Sequence, residues 1–385
     1  MIERYLNPEI NSIWDDQNKF DTWKLVQEKY VETLEELDVA ENGIAKKINQ
    51  SVVQKDEVYK QEEITNHDLA SFVDILQKKV GEGSNWIHYG LTSSDIVDTA
   101  NSVLIMQSLD YVKDLINDLL STLKEKAVQE KDTSIIGRTH GVYAEETFLG
   151  NIFGNWHLEV ARGLNRLENS KNNISFGKLS GPVGNHSVVT SEIEKLTLEK
   201  LNLKPEQFAN QIVSRDRYTE VVSSLGILAS TYERIATNIR SYQRSEISEM
   251  FESFKDGQKG SSAMPHKKNP IGSERITGLA RIMRSYVSTS LENMVLWNER
   301  DISNSSVERI VLPDTFHLIS FMSIELNLIL KHLVINYEQI NVNLEDAKNK
   351  SVSQKYLSYL VNNGVDRDTA YRKIQEEIFI NFSPE

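Results

Sequence analysis

Residues 221–242 read VVSSLGILASTYERIATNIRSY. In this stretch Val221, Leu225, Leu228, Tyr232, Ile235, Ile239 and Tyr242 recur at steps of 4, 3, 4, 3, 4 and 3. That spacing places all seven on one face of a helix with about 3.6 residues per turn. Ile105, Leu109, Val112, Ile116, Leu119 and Leu123 repeat the pattern. Alternation of 4 and 3 is the a/d seam of long helices packed nearly parallel, crossing at about 20°. Three further apolar stretches read as helices: 271–297, 315–334, and 145–167, which is interrupted by Gly150, Gly154 and Gly163. Helices of similar length pack together, so the spacing predicts an all-α protein with a central bundle of five long helices.

Proline usage agrees. The seven prolines stand at 8, 182, 205, 265, 270, 313 and 384, leaving 9–181 with none. A proline costs about 3 kcal/mol inside a helix, so a long run without it suits helix. The two ends read differently from the middle. Residues 1–90 hold shorter helices broken by Gly43, Gly81, Gly83 and Gly90, and 336–385 hold short helices parted near Asn362-Asn363-Gly364. The expected organisation is therefore an N-terminal helical domain (1–90), the long-helix bundle (91–335) and a short C-terminal helical domain (336–385). No repeat, low-complexity tract or run of alternating strand residues stands out.

The chain has 385 residues, with 43 Lys and Arg against 56 Asp and Glu, a net charge of −13. The acidic balance argues against a general nucleic-acid binder, which presents a basic face. Cysteine is absent, which excludes a disulfide scaffold, a thiolate zinc site and a thiol nucleophile. Met1 leads into Ile2, Glu3 and Arg4 without an apolar leader core, and no stretch approaches the ~18 apolar residues of a membrane span. The expectation is a soluble, cytoplasmic protein that engages no membrane.

Glycine and proline cluster in few places, and in so helical a chain such loops are where chemistry sits. The richest is GQKGSSAMPHKKNP at 257–270; another is GRTHG at 137–141. From 255 to 284 there are seven Lys or Arg and two acids, a net +5 inside an acidic chain. Asn269 suits an N-cap and Pro270 the first helical position. A helix N-terminus with free N–H groups, preceded by Lys267 and Lys268, is a ready anion site. Gly257 and Gly260 would let the loop close over a ligand.

The stretch GSSAMPHKKNP (260–270) resembles the signature loop of the fumarase/aspartase superfamily, whose members eliminate fumarate. The His after Met-Pro narrows the resemblance toward its adenylosuccinate lyase family, with the cycloisomerase branch close behind. Arg4-Tyr5, Asn66-His67-Asp68, WIHYGLTSSD at 86–95, GRTHGV at 137–142 and WNERDISNSSVER at 297–309 look like motifs of that family, in its order. The resemblance runs from residue 1 to about residue 375.

It implies a β-elimination that splits adenylosuccinate into AMP and fumarate, and likewise cleaves succinyl-aminoimidazole carboxamide ribotide in purine synthesis. A base removes a weakly acidic proton beside a carboxylate, so most of the barrier must fall by stabilising the resulting dianion. By resemblance Ser261 is the base, with Ser262 the alternative and otherwise a substrate contact. His140 is the general acid, a role suited to a group titrating near neutral pH. Lys267 and Asn269 fit the dianion, and Glu274 orients His140 or Ser261. His67 acts at the substrate beside Asn66 and Asp68, with His88 behind them. Arg4 and Tyr5 resemble a phosphate-binding pair. Thr92 and Ser93 are suited to cradle a carboxylate, and Gln211 stands where the family places an amide near the succinyl group. Arg300, Ser305 and Arg309 resemble its nucleotide contacts, where the planar guanidinium fork suits phosphate. No metal or organic cofactor is implied. In the family the 140, 88–95 and 260–270 regions come from different subunits, so a homotetramer with shared active sites is expected.

Some positions depart from the family pattern. Tyr143-Ala-Glu-Glu146 replaces His-Ala-Glu-Pro, Asn66 replaces a frequent Arg, Asn298 and Asn304 stand where His is usual, and the C-terminal domain is shorter. The rival readings are another superfamily lyase, such as argininosuccinate lyase or a cycloisomerase, and a non-catalytic helical scaffold. The scaffold would have no reason to keep Ser261, Lys267 and His140.

Overall fold

The computed structural model describes residues 1–254 and 257–380. Among them the chain is all-α apart from three short strand pairs. It begins with α1 (Pro8–Trp14), α2 (Asp16–Glu36), α3 (Ile44–Gln50), α4 (Lys55–Thr65) and α5 (Asp68–Val80). The long α6 (Ser93–Gln129) leads into β1 (Ser134–Thr139), β2 (Val142–Phe148) and α7 (Leu149–Ile174). Then follow β3 (Phe176–Gly177), α8 (Ser191–Glu199), β4 (Lys204–Pro205), α9 (Arg215–Tyr242), β5 (Met250–Phe251) and α10 (Ile271–Glu292). The chain continues through α11 (Ser303–Lys331), β6 (Val334–Ile335), α12 (Tyr337–Ser351), α13 (Ser353–Asn362) and α14 (Arg367–Ile380).

Contacts divide the chain into two compact units. One draws on Met1–Asn117, Arg162–Ser230 and Leu279–Ile324; the other on Asp118–Ala161, Thr231–Gly278 and Glu325–Glu385. In the first, an apolar core gathers Phe20, Trp23, Tyr30, Leu34, Phe72 and Leu76 from α2 and α5 with Ile96, Ala100, Leu179 and Leu198. Phe20, Trp23 and Phe72 meet edge-on and stacked, with centroids 5.2 to 6.1 Å apart. In the second, Phe153 and Trp156 of α7 meet edge-on at 5.3 Å among buried Leu119, Leu123, Ile135, Ile235 and Ile239. Both heptad seams are buried, except that Tyr242 is half-buried.

The local start signals are specific. Asn7 Oδ1 accepts the Ile10 N–H at 3.1 Å with Pro8 at the first turn of α1. Asp15 Oδ2 accepts the Gln17 N–H at 2.8 Å, and the Gln54 N–H donates to Glu57 at 3.1 Å. These groups take N–H donors that no helix can satisfy internally.

Three helices differ from the sequence reading. The one expected over 145–167 is Leu149–Ile174, because 142–148 pair as a strand instead. Gly150 does not interrupt it: a Cβ there would lie 2.6 Å from the Ala127 carbonyl oxygen, so glycine permits close packing on the end of α6. The stretch read as 271–297 ends at Glu292. The stretch read as 315–334 starts earlier, at Ser303, and runs through Pro313. Burial of Val311, Leu312, Phe316 and Ile319 around the proline offsets its local cost of about 3 kcal/mol.

The hairpin β1–β2 was not expected from the sequence. Its strands pair antiparallel with Thr139 opposite Val142 and Arg138 opposite Tyr143, leaving His140 and Gly141 as a two-residue loop. Both have positive φ, 56° and 79°, as the hairpin turn that matches strand twist requires.

Candidate active site

The first unit contains a cavity of about 460 Å³. One helical face of α6 forms a wall, with Ser94, Val97, Asp98, Asn101 and Leu104 at helical spacing. Asn304, Ser305, Glu308, Arg309 and Leu312 of α11 form another. Of the residues singled out in the sequence, His67, Asp68, Thr92, Ser93, Gln211, Arg300, Ser305 and Arg309 line this one space. Four segments far apart in sequence thus converge.

Several of these side chains are held. His67 caps α5, its Nδ1 accepting the Ala70 N–H at 3.4 Å. With Nδ1 accepting, the ring proton belongs on Nε2, which lies 3.3 Å from Ser93 Oγ. Arg309 donates to Asp68 at 2.6 Å. Arg300 donates through NH1 to Ser94 Oγ at 3.1 Å and to Gln211 Oε1 at 3.2 Å, and through Nε to Asn304 Oδ1 at 3.2 Å.

The Thr92–Ser93 segment rests on a buried ion pair. Asp95 binds Lys178, both wholly buried. Its second oxygen accepts the N–H of Thr92 at 2.7 Å and of Gly181 at 3.3 Å. Burial pushes the Asp95 carboxyl above its ordinary value, against the pull of Lys178 and these N–H groups. Arg215 is buried between Asp98 and Glu308. Burial alone would lower the Arg215 guanidinium, but those two carboxylates hold it well above its ordinary value.

Arg4, Tyr5, Asn66 and His88 are not among the lining residues. Arg4 is exposed, and Tyr5 packs edge-on against Phe321 at 5.0 Å. Asn66 ends α4 with φ 51°, a left-handed position that Asn tolerates. His88 has φ 63° and is gripped by Gln27, whose Oε1 accepts its N–H at 3.0 Å while Nε2 lies 3.1 Å from Nδ1. Burial, with His67 nearby, pushes the His88 ring down to about 4, so it is neutral near pH 7.

The second unit holds the other group of expected residues. His140 is exposed at the hairpin tip. Two residues earlier, Arg138 forks both oxygens of buried Glu249 at 2.8 Å each, and Asn343 adds a bond of 2.7 Å to Glu249. In the signature loop, Ser261 Oγ accepts the N–H of Ala263 at 3.3 Å and of Met264 at 3.1 Å. Ser262, His266, Lys267 and Lys268 are exposed. Lys255 and Asp256, counted in the basic run, lie outside the described residues.

The start of α10 departs from expectation. Asn269 does not cap it; its Nδ2 donates to the Gly260 carbonyl at 2.8 Å and closes the base of the loop. The N–H groups of Gly272 and Ser273 go to the Glu252 carboxylate, at 3.1 and 2.6 Å. A full negative charge suits a helix N-terminus better than an amide, so the anion site read from sequence is already filled from within. Gln243 ties both sides, donating to the Lys268 carbonyl and accepting the Glu252 N–H, each at 3.0 Å. Gly260 is obligatory: a Cβ there would lie 2.2 Å from the Lys267 carbonyl oxygen. Glu274 is exposed and bonds neither His140 nor Ser261.

Sequence reasoning missed Trp14, Asp16, Lys19, Trp23, Asp98, Asn101, Arg215, Asn304 and Glu308 in the cavity wall. Asp98, Asn101, Asn304 and Glu308 were findable as polar stripes on otherwise apolar helices. The cluster on α2 carried no such signal.

Comparison with known proteins gives the family. A family model described as Lyase matches residues 18–283. The adenylosuccinate lyase of Aquifex aeolicus is 43% identical over 384 residues, covering 97% of this chain and 87% of that protein. The adenylosuccinate lyase of Thermotoga maritima is 41% identical over 386 residues, covering 100% of this chain and 90% of that protein. Among solved structures, a fumarate lyase from Mesorhizobium sp. BNC1 superposes with a TM-score of 0.87 at 20% identity, covering 97% of this chain and 86% of that one. The chain belongs to the fumarase/aspartase lyase superfamily and, within it, to the adenylosuccinate lyase family.

Proposed function

We infer that this chain is a carbon–nitrogen lyase that cleaves adenylosuccinate to AMP and fumarate, and succinyl-aminoimidazole carboxamide ribotide in the same way. The observation that carries this reading is the identity of 41 to 43% with adenylosuccinate lyases over nearly the whole chain. The cavity supports it, since it gathers Arg300, Arg309, His67 and Ser305 where an anionic nucleotide could be held.

In the proposed mechanism Ser261 takes the proton from the succinyl carbon next to a carboxylate. The electron pair forms the new C=C bond, the C–N bond breaks, and His140 protonates the departing nitrogen. Two N–H donors on Ser261 Oγ favour its ionised form, as hydrogen bonds to an anion do. Because Glu252 occupies the start of α10, Lys267 carries the cationic stabilisation of the dianion in this scheme. His140 at an exposed hairpin tip is free to meet a substrate held elsewhere. Thr92, Ser93 and Gln211 hold the succinyl group, and Arg300, Ser305 and Arg309 the phosphate.

The working assembly in this proposal is a homotetramer with shared active sites, acting in the cytoplasm. Exposed Ile227, Ile282, Ile310 and Leu328 on the long helices support assembly, since apolar side chains so placed gain from being covered. Light scattering gives the subunit number.

The decisive experiment follows fumarate release by purified protein supplied with adenylosuccinate. Release is expected. No release, with fumarate formed from argininosuccinate instead, would overturn the reading.

A further inference from the structure

Behind Arg300 the cavity wall is a continuous buried polar chain. Asp98 on α6 accepts from Arg215 at 2.6 and 2.9 Å and from the Val213 N–H at 2.8 Å. Arg215 on α9 also donates to both oxygens of Glu308, at 2.7 and 3.1 Å. Glu308 on α11 accepts from Asn304 Nδ2 at 3.0 Å and Asn293 Nδ2 at 3.2 Å. Asn304, wholly buried, then presents Oδ1 to Arg300 Nε at 3.2 Å. Three elements therefore converge on one amide, and the amide meets the arginine.

The charges in this chain matter. Two carboxylates share the single guanidinium of Arg215, leaving a surplus of one negative charge behind Arg300. Arg300 does not pair with it directly, because the neutral amide of Asn304 stands between. An amide gives the guanidinium an acceptor and a fixed orientation without neutralising it. Arg300 NH1 is engaged by Ser94 and Gln211, and NH2 makes no hydrogen bond among the described residues. The carboxylate of neighbouring Asp301 feels the Arg300 charge but makes no hydrogen bond to it among the described residues, so the two NH2 N–H groups remain available to an anion in the cavity.

We propose that Asn304 is a positioning residue that holds Arg300 by its Nε while insulating it from Glu308, so that the guanidinium stays free for an anionic group of the substrate. This rests on the reading of the cavity as the substrate site. The group is a phosphate ester or a carboxylate, which an arginine fork binds alike.

The test is Asn304→Asp, nearly isosteric, beside Asn304→Ala. In Asn304→Asp the new carboxylate neutralises Arg300 and faces Glu308. KM for adenylosuccinate is expected to rise about tenfold or more near pH 8, the scale of one lost charged contact, with kcat within about threefold. Burial and Glu308 push the new carboxyl up while Arg300 pulls it down, so the KM of this variant, taken relative to wild type at each pH, should fall back as the pH is lowered toward about 5.5 and the carboxyl is protonated. Asn304→Ala, which lacks an acceptor at every pH, should show a raised KM without that recovery. A purely structural role would lower the melting temperature but give no pH-dependent KM. Product inhibition separates the two anions: a weakened AMP constant assigns Arg300 to the phosphate, and a weakened fumarate constant assigns it to a carboxylate. A folded Asn304→Asp with wild-type KM and wild-type product inhibition across this range overturns the proposal. A wild-type protein that makes no fumarate sinks the activity reading and this proposal together, whereas an active wild type with unaltered variants sinks this proposal alone.

Discussion

Glu252 Oε1 accepts the backbone N–H of Ser273 at 2.6 Å, and the other oxygen of the same carboxylate accepts the Gly272 N–H at 3.1 Å. A side chain from before the signature loop thus caps the helix after it. Both ends of the loop are fixed to one anchor, with half-buried Ser261 and exposed Lys267 between them.

Removing that anchor has a defined cost. Glu252→Ala leaves two first-turn N–H groups without their cap and is expected to lower stability by about 1–2 kcal/mol. Glu252→Gln keeps an acceptor and should cost less than half as much. Urea denaturation measures both; equal losses would show that the charge alone carries the cap, and no loss in either variant would show that the cap does not stabilise the helix.

Ser261→Ala and His140→Ala should each lower kcat by about a hundredfold or more while the far-ultraviolet circular dichroism stays that of a helical protein. Neither side chain is buried, so loss of fold is not expected to explain loss of turnover. A variant that keeps near wild-type kcat removes its residue from the proposed mechanism.

The Arg138–Glu249 pair holds the hairpin that carries His140. Glu249 is wholly buried, so Glu249→Leu strands a mostly buried guanidinium and should cost about 3–5 kcal/mol. The double variant Arg138→Leu with Glu249→Leu should cost clearly less than the two single losses added together. Additive losses in a urea-based cycle would argue that the two groups do not stabilise one another.

His88 gives a pH dependence with a definite sign. Its ring is pushed from 6.5 down to about 4 by burial, with His67 adding to the effect, so the fold favours the neutral form. The stability it contributes is whole above about pH 6.5, where the unfolded chain's imidazole is neutral too, and falls away as pH drops toward 4. The loss is at most about 3 kcal/mol. Across that window wild-type stability should fall more steeply than that of His88→Gln. Parallel curves in urea titrations at a series of pH values would remove His88 as the cause.

Much of this molecule was legible in its sequence. The seams at 105–123 and 221–242 needed only apolar residues at helical spacing, because burying such a stripe is what makes a long helix stable. The hairpin at 134–148 was missed although Ile135, Ile136 and Val142 favour strands and His140-Gly141 suits a tight turn. One pair of strands in a helical chain offers too few residues for alternation to stand out against the glycines beside it. Pro313 misled for the opposite reason: a local breaker was outweighed by burial that the sequence does not display.

The sequence by itself determined the helical class and singled out eight of the residues that line one cavity, His67, Asp68, Thr92, Ser93, Gln211, Arg300, Ser305 and Arg309. These follow from local periodicity and from motifs whose members are neighbours in the chain. Only the tertiary structure decided that Glu252 fills the anion site at the start of α10, that Asn269 closes a loop instead of capping a helix, and that Asn304 stands between Arg300 and Glu308. The partners lie within about two dozen residues of one another in the chain, but which polar group wins each donor or acceptor depends on how loop, helix and neighbouring side chains pack, and spacing alone does not display that competition.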